Sequence, residues 1–361
     1  MTSPTVSVIV SVYNSEQYLP ECLASLRAQT LKTFEVIMVD PGSKDATEAL
    51  CRRQAAEDPR FRYFHFEGSS RVSFCRAKAV QEARAPLIAI LDSDDWALPL
   101  RLETQATWMD RHPETILTGT YYRVINELGW ITRISPLKVR EDIEIRWRLL
   151  FGNCLTHSTV MFRKEAALRA GNYNPEIKAG EDLEFYARLL GQGRMAVIPI
   201  VLGAWRSHGK SLSRTQPIEE QQDFIRTIQK AVRLNLEEDI SLAVAAAVYT
   251  QSPLPADSLA TFTQVLALIE RADRTLRQSF APSAKAKRDL SRSVFLQLLQ
   301  LMTKNSGESW WQSAEESWAE ATRRLSVVNS GYHWYLDAGL FSYYKALLKC
   351  DLRFLFMTRL Y

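Results

Sequence analysis

The run Val6-Ser7-Val8-Ile9-Val10-Ser11-Val12 is β-branched and almost continuously apolar, as expected of a strand covered on both faces of a parallel sheet. Asn14 stands where it can cap a following helix, with Gln17 three residues on; Tyr18, Leu19, Cys22, Leu23 and Leu26 then recur at helical spacing. Phe34-Glu35-Val36-Ile37-Met38-Val39 is a second strand ending at Asp40, and Pro41-Gly42-Ser43-Lys44-Asp45 is a turn that opens a helix from Ala46 to Ala56. A third strand, Phe61 to Phe66, a helix around Phe74 to Ala83 and a fourth strand, Leu87-Ile88-Ala89-Ile90-Leu91, follow. That last strand runs into Asp92-Ser93-Asp94-Asp95, before Trp96. The βαβα rhythm predicts an α/β fold, with a mostly parallel sheet and helices on both faces. Ligands of such sheets collect at the carboxyl ends of strands. Asp40 and Asp92 both occupy such ends, so they should converge in space.

Further on the pattern loosens. A helix near Leu100 to Arg111 precedes strands Thr115 to Ile125 and Trp130 to Ile134, joined by Asn126-Glu127-Leu128-Gly129. A helix over Glu141 to Phe151, a short strand around Thr159 to Phe162, a helix stopped by Gly171, a helix opened by Gly180-Glu181-Asp182 and a strand from Ala196 to Trp205 are expected. After Pro217 the chain reads as helix after helix: Ile218 to Leu236, Ile240 to Tyr249, Leu259 to Phe280, Leu290 to Met302, Trp311 to Leu325 and Phe341 to Phe356. Two domains are expected, 1–215 α/β and 216–361 all-α, with the boundary near 209–217.

With 361 residues, 46% hydrophobic and 24% charged, the chain has the composition of a globular protein, and no stretch is long and apolar enough to span a bilayer. Cys22, Cys51, Cys75, Cys154 and Cys350 are odd in number, scattered and without a CxxC pair. That suggests neither a disulfide framework nor a zinc site, and fits a reducing cytoplasm. The start of the chain shows no charged n-region or signal-peptide core. Net charge is +4, but residues from 271 onward hold 14 Lys and Arg against 8 Asp and Glu. No zinc-finger spacing or RNP-like strand points to nucleic acid.

Three carboxylates at the end of a buried strand are costly unless something positive sits among them. A divalent cation carrying a diphosphate suits them, because such cations are held by one or two carboxylates plus substrate phosphates. The same residues also suit an acidic turn that caps the next helix. Glu181 and Asp182 open a helix, where any carboxylate is favoured, and Arg76 suits either a diphosphate or a structural carboxylate.

In order along the chain, the motifs resemble family 2 glycosyltransferases of the GT-A fold. The resemblance is carried by Val6 to Asn14, Tyr18-Leu19, Leu23-Ala24-Ser25-Leu26, Gln29-Thr30 and Phe34 to Asp40. Gly42-Ser43 with Asp45, Arg76, Leu91-Asp92-Ser93-Asp94-Asp95 and Arg101-Leu102 continue it. His157 to Arg163, Gly171-Asn172-Tyr173, Gly180-Glu181-Asp182 and Trp205-Arg206-Ser207-His208 with Ser211-Leu212-Ser213 complete it, so that it covers roughly residues 5–215. It implies an inverting transferase that uses a nucleotide diphosphate sugar, a saccharide or lipid-linked acceptor, and Mn²⁺ or Mg²⁺. Asp40 would contact the base or ribose, Asp92 would face the nucleotide sugar and Arg76 would bind the donor. Asp94 would be the metal ligand with His208 beside it, Asp182 the general base and Asp95 structural support. Two departures stand out: Pro41 where the family has a second Asp, and Ala77 where it has Asn after Arg76. A Gln-x-x-Arg-Trp motif is absent, which argues for adding one sugar, or few, per encounter.

Two other readings suit the same residues. A nucleotidyltransferase could use a similar sheet and metal, although its Gly-rich basic signature is missing. A decayed transferase could bind glycans as a scaffold. Phe341, Tyr344, Leu348 and Phe356 with Lys345, Lys349 and Arg353 suit a basic amphipathic helix peripheral at the cytoplasmic membrane face, a helix packed on its own domain, or a homodimer contact.

Overall fold

A computed structural model describes residues 3–66, 71–135, 140–209, 218–249, 259–280 and 283–305. Strands β1 (Val6–Ser11), β2 (Phe34–Asp40), β3 (Phe61–His65) and β4 (Leu87–Ile90) alternate with helices α1 (Leu19–Arg27), α2 (Thr47–Glu57) and α3 (Val72–Glu82). They pair in the order β3-β2-β1-β4, all parallel. The side-chain alternation of β1 divides its burial between two layers. Val6, Val8 and Val10 pack with Leu19, Cys22, Leu23 and Leu26 of α1, whereas Ile9 faces Cys75, Ala79 and Val80 of α3. Each such fully buried aliphatic side chain contributes about 1.5–3 kcal/mol, as an upper bound.

Beyond β4 the sheet becomes mixed. β8 (Met161–Arg163) runs antiparallel to β4 and to β6 (Thr115–Ile125), and β9 (Arg194–Arg206) runs parallel to β6. The two-residue β5 (Trp96–Ala97) closes one edge against β9, while β7 (Ile131–Ser135) pairs with β6 alone. Helices α4 (Arg101–Arg111), α5 (Asp142–Leu149), α6 (Lys164–Arg169) and α7 (Glu181–Leu189) connect these strands. The expected α/β architecture is found, but the sheet is mostly parallel only from β3 to β4; beyond β4 antiparallel pairs predominate.

Three local readings are corrected. Asn14 does not cap α1: it lies at φ 47° and its Oδ1 accepts from the Lys44 backbone N–H at 2.8 Å, while α1 begins at Leu19 with no side-chain cap. The turn after β2 outcompetes the helix for that amide. The strand expected from Thr159 is preceded by a 3₁₀ turn, His157–Thr159, because Thr159 turns back onto the Thr156 carbonyl through both N–H (2.9 Å) and Oγ1 (2.8 Å). The helix expected from Leu290 begins at Ala284, since its first turns are Lys- and Arg-rich and show no apolar period.

Helices α8 (Ile218–Leu236), α9 (Leu242–Tyr249), α10 (Leu259–Phe280) and α11 (Ala284–Asn305) follow the sheet. Ile228, Val232, Phe262, Ile269 and Leu290 from these helices share one hydrophobic cluster with Trp147 of α5 and Leu189 of α7. Helix α8 lies along α7: Lys230 pairs with the buried Glu184, and Asn235 Nδ2 donates to the Ala187 carbonyl at 3.2 Å. The helices expected at 311–325 and 341–356 lie outside the described residues, as does Ser211-Leu212-Ser213.

Gly180, the residue before α7, has φ +74°, and a Cβ there would stand 2.8 Å from Cδ2 of Phe224 on α8. Gly180→Ala should therefore cost about 1–3 kcal/mol, measured by chemical denaturation; a variant as stable as the parent would show that α8 does not press on this turn.

Candidate active site

Asp92, just past β4, accepts two bonds on its carboxylate and donates one from its backbone. Oδ1 accepts from Arg76 Nη2 at 2.7 Å and Oδ2 from Ser158 Oγ at 2.8 Å, while its N–H donates to the same Ser158 Oγ at 3.1 Å. Arg76 projects from α3, is nearly fully buried, and gives its other terminal nitrogen to Glu181 of α7. One guanidinium thus joins the acidic end of β4 to the acidic start of α7, with Glu181 105 residues away from Arg76 in sequence. A bidentate fork suits such a bridge, which a lysine could not span.

Asp182 follows Glu181 in the first turn of α7. Its Oδ2 accepts from Asn153 Nδ2 at 2.5 Å and its Oδ1 from the Leu183 N–H at 2.7 Å. Burial and the Glu181 charge push its carboxyl up to about 7, the range suited to proton transfer near neutrality. Beneath α7, His157 bridges two phenols, Tyr186 through Nδ1 at 2.6 Å and Tyr173 through Nε2 at 3.1 Å. Burial drives its pKa well below the ordinary value, so the imidazole is neutral and serves as a link in this network.

On the other side of the loop, Asp94 Oδ2 lies 2.8 Å from His208 Nε2. Arg206, at the end of β9 and wholly buried, organises this part. Its N–H donates to Asp95 Oδ1 (2.7 Å), its Nε to the Asp94 carbonyl (2.9 Å) and its Nη2 to Glu21 (2.6 Å), and its guanidinium lies over the rings of Tyr18 and Trp96. Ser93 Oγ is 2.8 Å from Ser15 Oγ, tying the acidic loop to the loop after β1.

Asp40 is buried at the end of β2, where its Oδ1 accepts from the Gly42 N–H, the Ser43 N–H and the Ser43 Oγ, and its Oδ2 from Tyr63. Pro41 leaves this turn intact, because the donors come from the residues after it. The structure thus unites Arg76 and Asp92 with Glu181 and Asp182, and Asp94 with His208. Asp40 makes its hydrogen bonds within its own turn and to β3. The reading of the sequence missed Ser158, Asn153 and the bracing role of Arg206. The segments 157–163 and 205–208 were singled out there, but spacing alone does not say which carboxylate a distant hydroxyl, amide or guanidinium will meet.

The electrostatics leave the loop short of positive charge. Burial and the Asp92 charge raise the Asp94 carboxyl, and burial with the Asp94 and Asp92 charges raises that of Asp95 well above the ordinary range. Among the described residues Asp95 Oδ2 is buried without a hydrogen-bond partner. Among the described residues no three His, Cys, Asp or Glu side chains form a metal-binding cluster. Asp94 and His208 offer one oxygen and one nitrogen donor side by side, a set that suits a divalent cation only if ligand phosphates complete its shell.

The sequence pattern of glycosyl transferase family 2 matches residues 7–169. The O-antigen biosynthesis glycosyltransferase WbnJ of Escherichia coli is 31% identical over 214 residues, which cover 58% of this chain and 82% of WbnJ. EpsH of Bacillus subtilis (strain 168) is 42% identical over 99 residues, so the chain spans 28% of that relative's length. Among solved structures, S. aureus TarS 1-349 in complex with UDP-GlcNAc aligns at a TM-score of 0.57 and 17% identity, over 95% of this chain and 92% of TarS 1-349. The mannosyltransferase PcManGT from Pyrobaculum calidifontis, in complex with GDP-Man and Mn²⁺, aligns at 0.50 and 18% identity over 97% and 89%. At these identities the two structures speak for the fold.

Arg76→Met removes the shared partner of Asp92 and Glu181. It should destabilise the protein by about 3 kcal/mol, the lower end for a broken buried ion pair because Asp92 is partly exposed. Denaturant titration measures this, and an unchanged midpoint would mean that the bridge carries no net stability.

Proposed function

The chain belongs to glycosyl transferase family 2, and from that premise we propose that it moves one sugar, with inversion, from a nucleotide diphosphate sugar to a saccharide or lipid-linked acceptor. The carrying observation is the Arg76 bridge, which sets the strand-end carboxylate Asp92 beside the helix that bears Asp182. WbnJ, by its name a glycosyltransferase of O-antigen biosynthesis, supports a role in polysaccharide or glycoconjugate synthesis. Residues 1–215 form the catalytic domain in this reading.

Asp92 and Arg76 bind the donor, and Asp40 orders the turn that meets its nucleoside. Asp182 takes the proton of the acceptor hydroxyl. The hydroxyl oxygen attacks the anomeric carbon opposite the diphosphate, the new glycosidic bond forms, and the nucleoside diphosphate leaves with the electrons of the broken C–O bond. Asn153 and the Leu183 N–H hold the Asp182 carboxylate in place for that step. A divalent cation, Mn²⁺ or Mg²⁺, held by Asp94 and His208, would supply Lewis-acid stabilisation of the leaving diphosphate. Cys22, Cys51, Cys75 and Cys154 are free thiols, which supports a reducing, cytoplasmic setting. Among the described residues no helix is long and apolar enough to cross a membrane.

Two experiments test this reading. Asp182→Asn should lower kcat by roughly 10²–10⁴-fold while leaving donor affinity near the parent's. Because the carboxylate is the active form, the parent's rate should rise with pH through about 7 and then level, and the variant should lack that inflection; equal turnover in both proteins would refute the assignment. Asp94→Ala, or removal of metal with EDTA, should abolish nucleotide-sugar binding in a thermal-shift panel of donors, and Mn²⁺ should restore it only to the parent protein. Undiminished donor binding without metal would overturn the role of Asp94.

A further inference from the structure

The hairpin of β6 and β7 carries a feature that sugar transfer leaves unexplained. Tyr122 to Ile125 pair with Ile131 to Ser135, and the turn between them is closed by its own hydrogen bonds. Asn126 Oδ1 accepts from the Leu128 N–H at 3.1 Å and the Trp130 N–H at 2.9 Å, and the Asn126 N–H donates to the Trp130 carbonyl at 3.0 Å. Gly129, at φ +81°, packs so closely on the Trp96 ring that a Cβ would stand 2.8 Å from it. The tip is therefore an ordered structure, yet Leu128 is 80% exposed, Trp130 70%, Ile131 54% and Ile134 63%. Four large apolar side chains within seven residues, held out by an ordered turn, mark an interaction surface.

Charge identifies the partner. Along the hairpin, Tyr121 to Ser135, the charged residues are Arg123, Arg133 and the single acid Glu127, and Glu127 accepts from the Gly209 N–H at 3.3 Å. Arg133 is the central residue of β7. A second copy that paired antiparallel about that residue would set two Arg133 side chains opposite each other, which is unfavourable. An anionic lipid surface accommodates both halves of the pattern. Leu128, Ile131 and Ile134 enter the acyl boundary, Trp130 lies at the headgroup level and the arginines meet lipid phosphates.

We propose that the β6–β7 hairpin docks this protein on an anionic phospholipid bilayer. The turn of the hairpin touches the acidic site, because Arg206 Nη1 donates to the carbonyls of Asn126 (3.2 Å) and Glu127 (3.0 Å) while its Nε donates to the Asp94 carbonyl. Docking thus places Asp94 and His208 near the membrane surface, where a lipid-linked substrate would present its headgroup. The docking itself does not depend on the transferase reading and is measured without donor or acceptor.

The test sediments the full-length protein with vesicles of phosphatidylcholine alone and of phosphatidylcholine mixed with phosphatidylglycerol. The double variant Trp130→Ser/Ile134→Ser and the single variant Arg133→Glu are compared with the parent. The parent should bind the anionic vesicles more tightly than the neutral ones. The double variant should lose about tenfold or more in affinity. Arg133→Glu should lose about fivefold or more on anionic vesicles and little on neutral ones. Should the double variant melt early, Leu128→Ser, at the exposed turn, carries the same comparison. A parent that ignores anionic vesicles, or hairpin variants that bind as the parent does, would overturn the proposal. So would a lipid-free dimer, seen by sedimentation velocity, that the double variant converts to monomer, because the hairpin would then be an interface between copies.

Discussion

Five carboxylates, Asp92, Asp94, Asp95, Glu181 and Asp182, gather where the carboxyl end of β4 meets the start of α7, and one buried guanidinium, that of Arg76, pairs with two of them while Arg206 braces the loop that carries three. Like charges brought together out of water repel strongly, and each pays a desolvation cost as well. Arg76 takes Asp92 on one side and Glu181 on the other. Arg206 braces the acidic loop, its backbone N–H donating to Asp95 Oδ1 and its Nε to the Asp94 carbonyl, while its Nη2 pairs with Glu21. The carboxylates left least compensated are Asp94, Asp95 and Asp182, whose carboxyls all shift upward. Asp94 stands where a cation would bind and Asp182 where a proton would be taken. Charge compensation therefore ends where the proposed chemistry begins.

The sheet could be read from the chain because its strands are written in local code. Val6 to Val12 and Phe34 to Val39 are β-branched runs ending at turn residues, and burial on both faces leaves little freedom in how they fold. The same runs place Asp40 at the end of β2 and Asp92 just past β4. Asn14 shows where local code fails. Its spacing to Gln17 suits a cap, yet the competing donor, the Lys44 N–H, arrives from 30 residues away. Arg76 is a similar case: a diphosphate and a carboxylate pose the same demand on a guanidinium, and only the fold brings Glu181 into reach. His157 was singled out, but its partners Tyr173 and Tyr186 are specified by packing rather than by spacing.

The helical layer after the sheet shows no motif that reveals a role, and its contacts with α7 give it one in physical terms. Helix α7 is held at its front by the Arg76–Glu181 pair, from below by the Tyr186–His157 bond, and at its back by α8, where Lys230 meets Glu184 and Phe224 lies against Gly180. A base must stand within about 3 Å of the proton it takes, and small displacements are costly in rate. The pair Glu181 and Glu184 is suited to this anchoring: one turn of helix apart, each is paired with a cation from a different layer, so that α7 is clamped between the sheet and the helices.

The same clamp bears on the chemistry of Asp182 itself. Its carboxyl stands at about 7 first because it is buried and then because Glu181 is its neighbour. Were α7 to drift toward solvent, the burial contribution would fall, the carboxyl would return toward the ordinary range of an aspartate, and a weaker base would result. Position and basicity are thus not separate properties of this residue. The Arg76 charge, paired with Glu181, draws the Asp182 carboxyl back down, but burial and the Glu181 charge outweigh it and hold the proton affinity above that of a surface carboxylate.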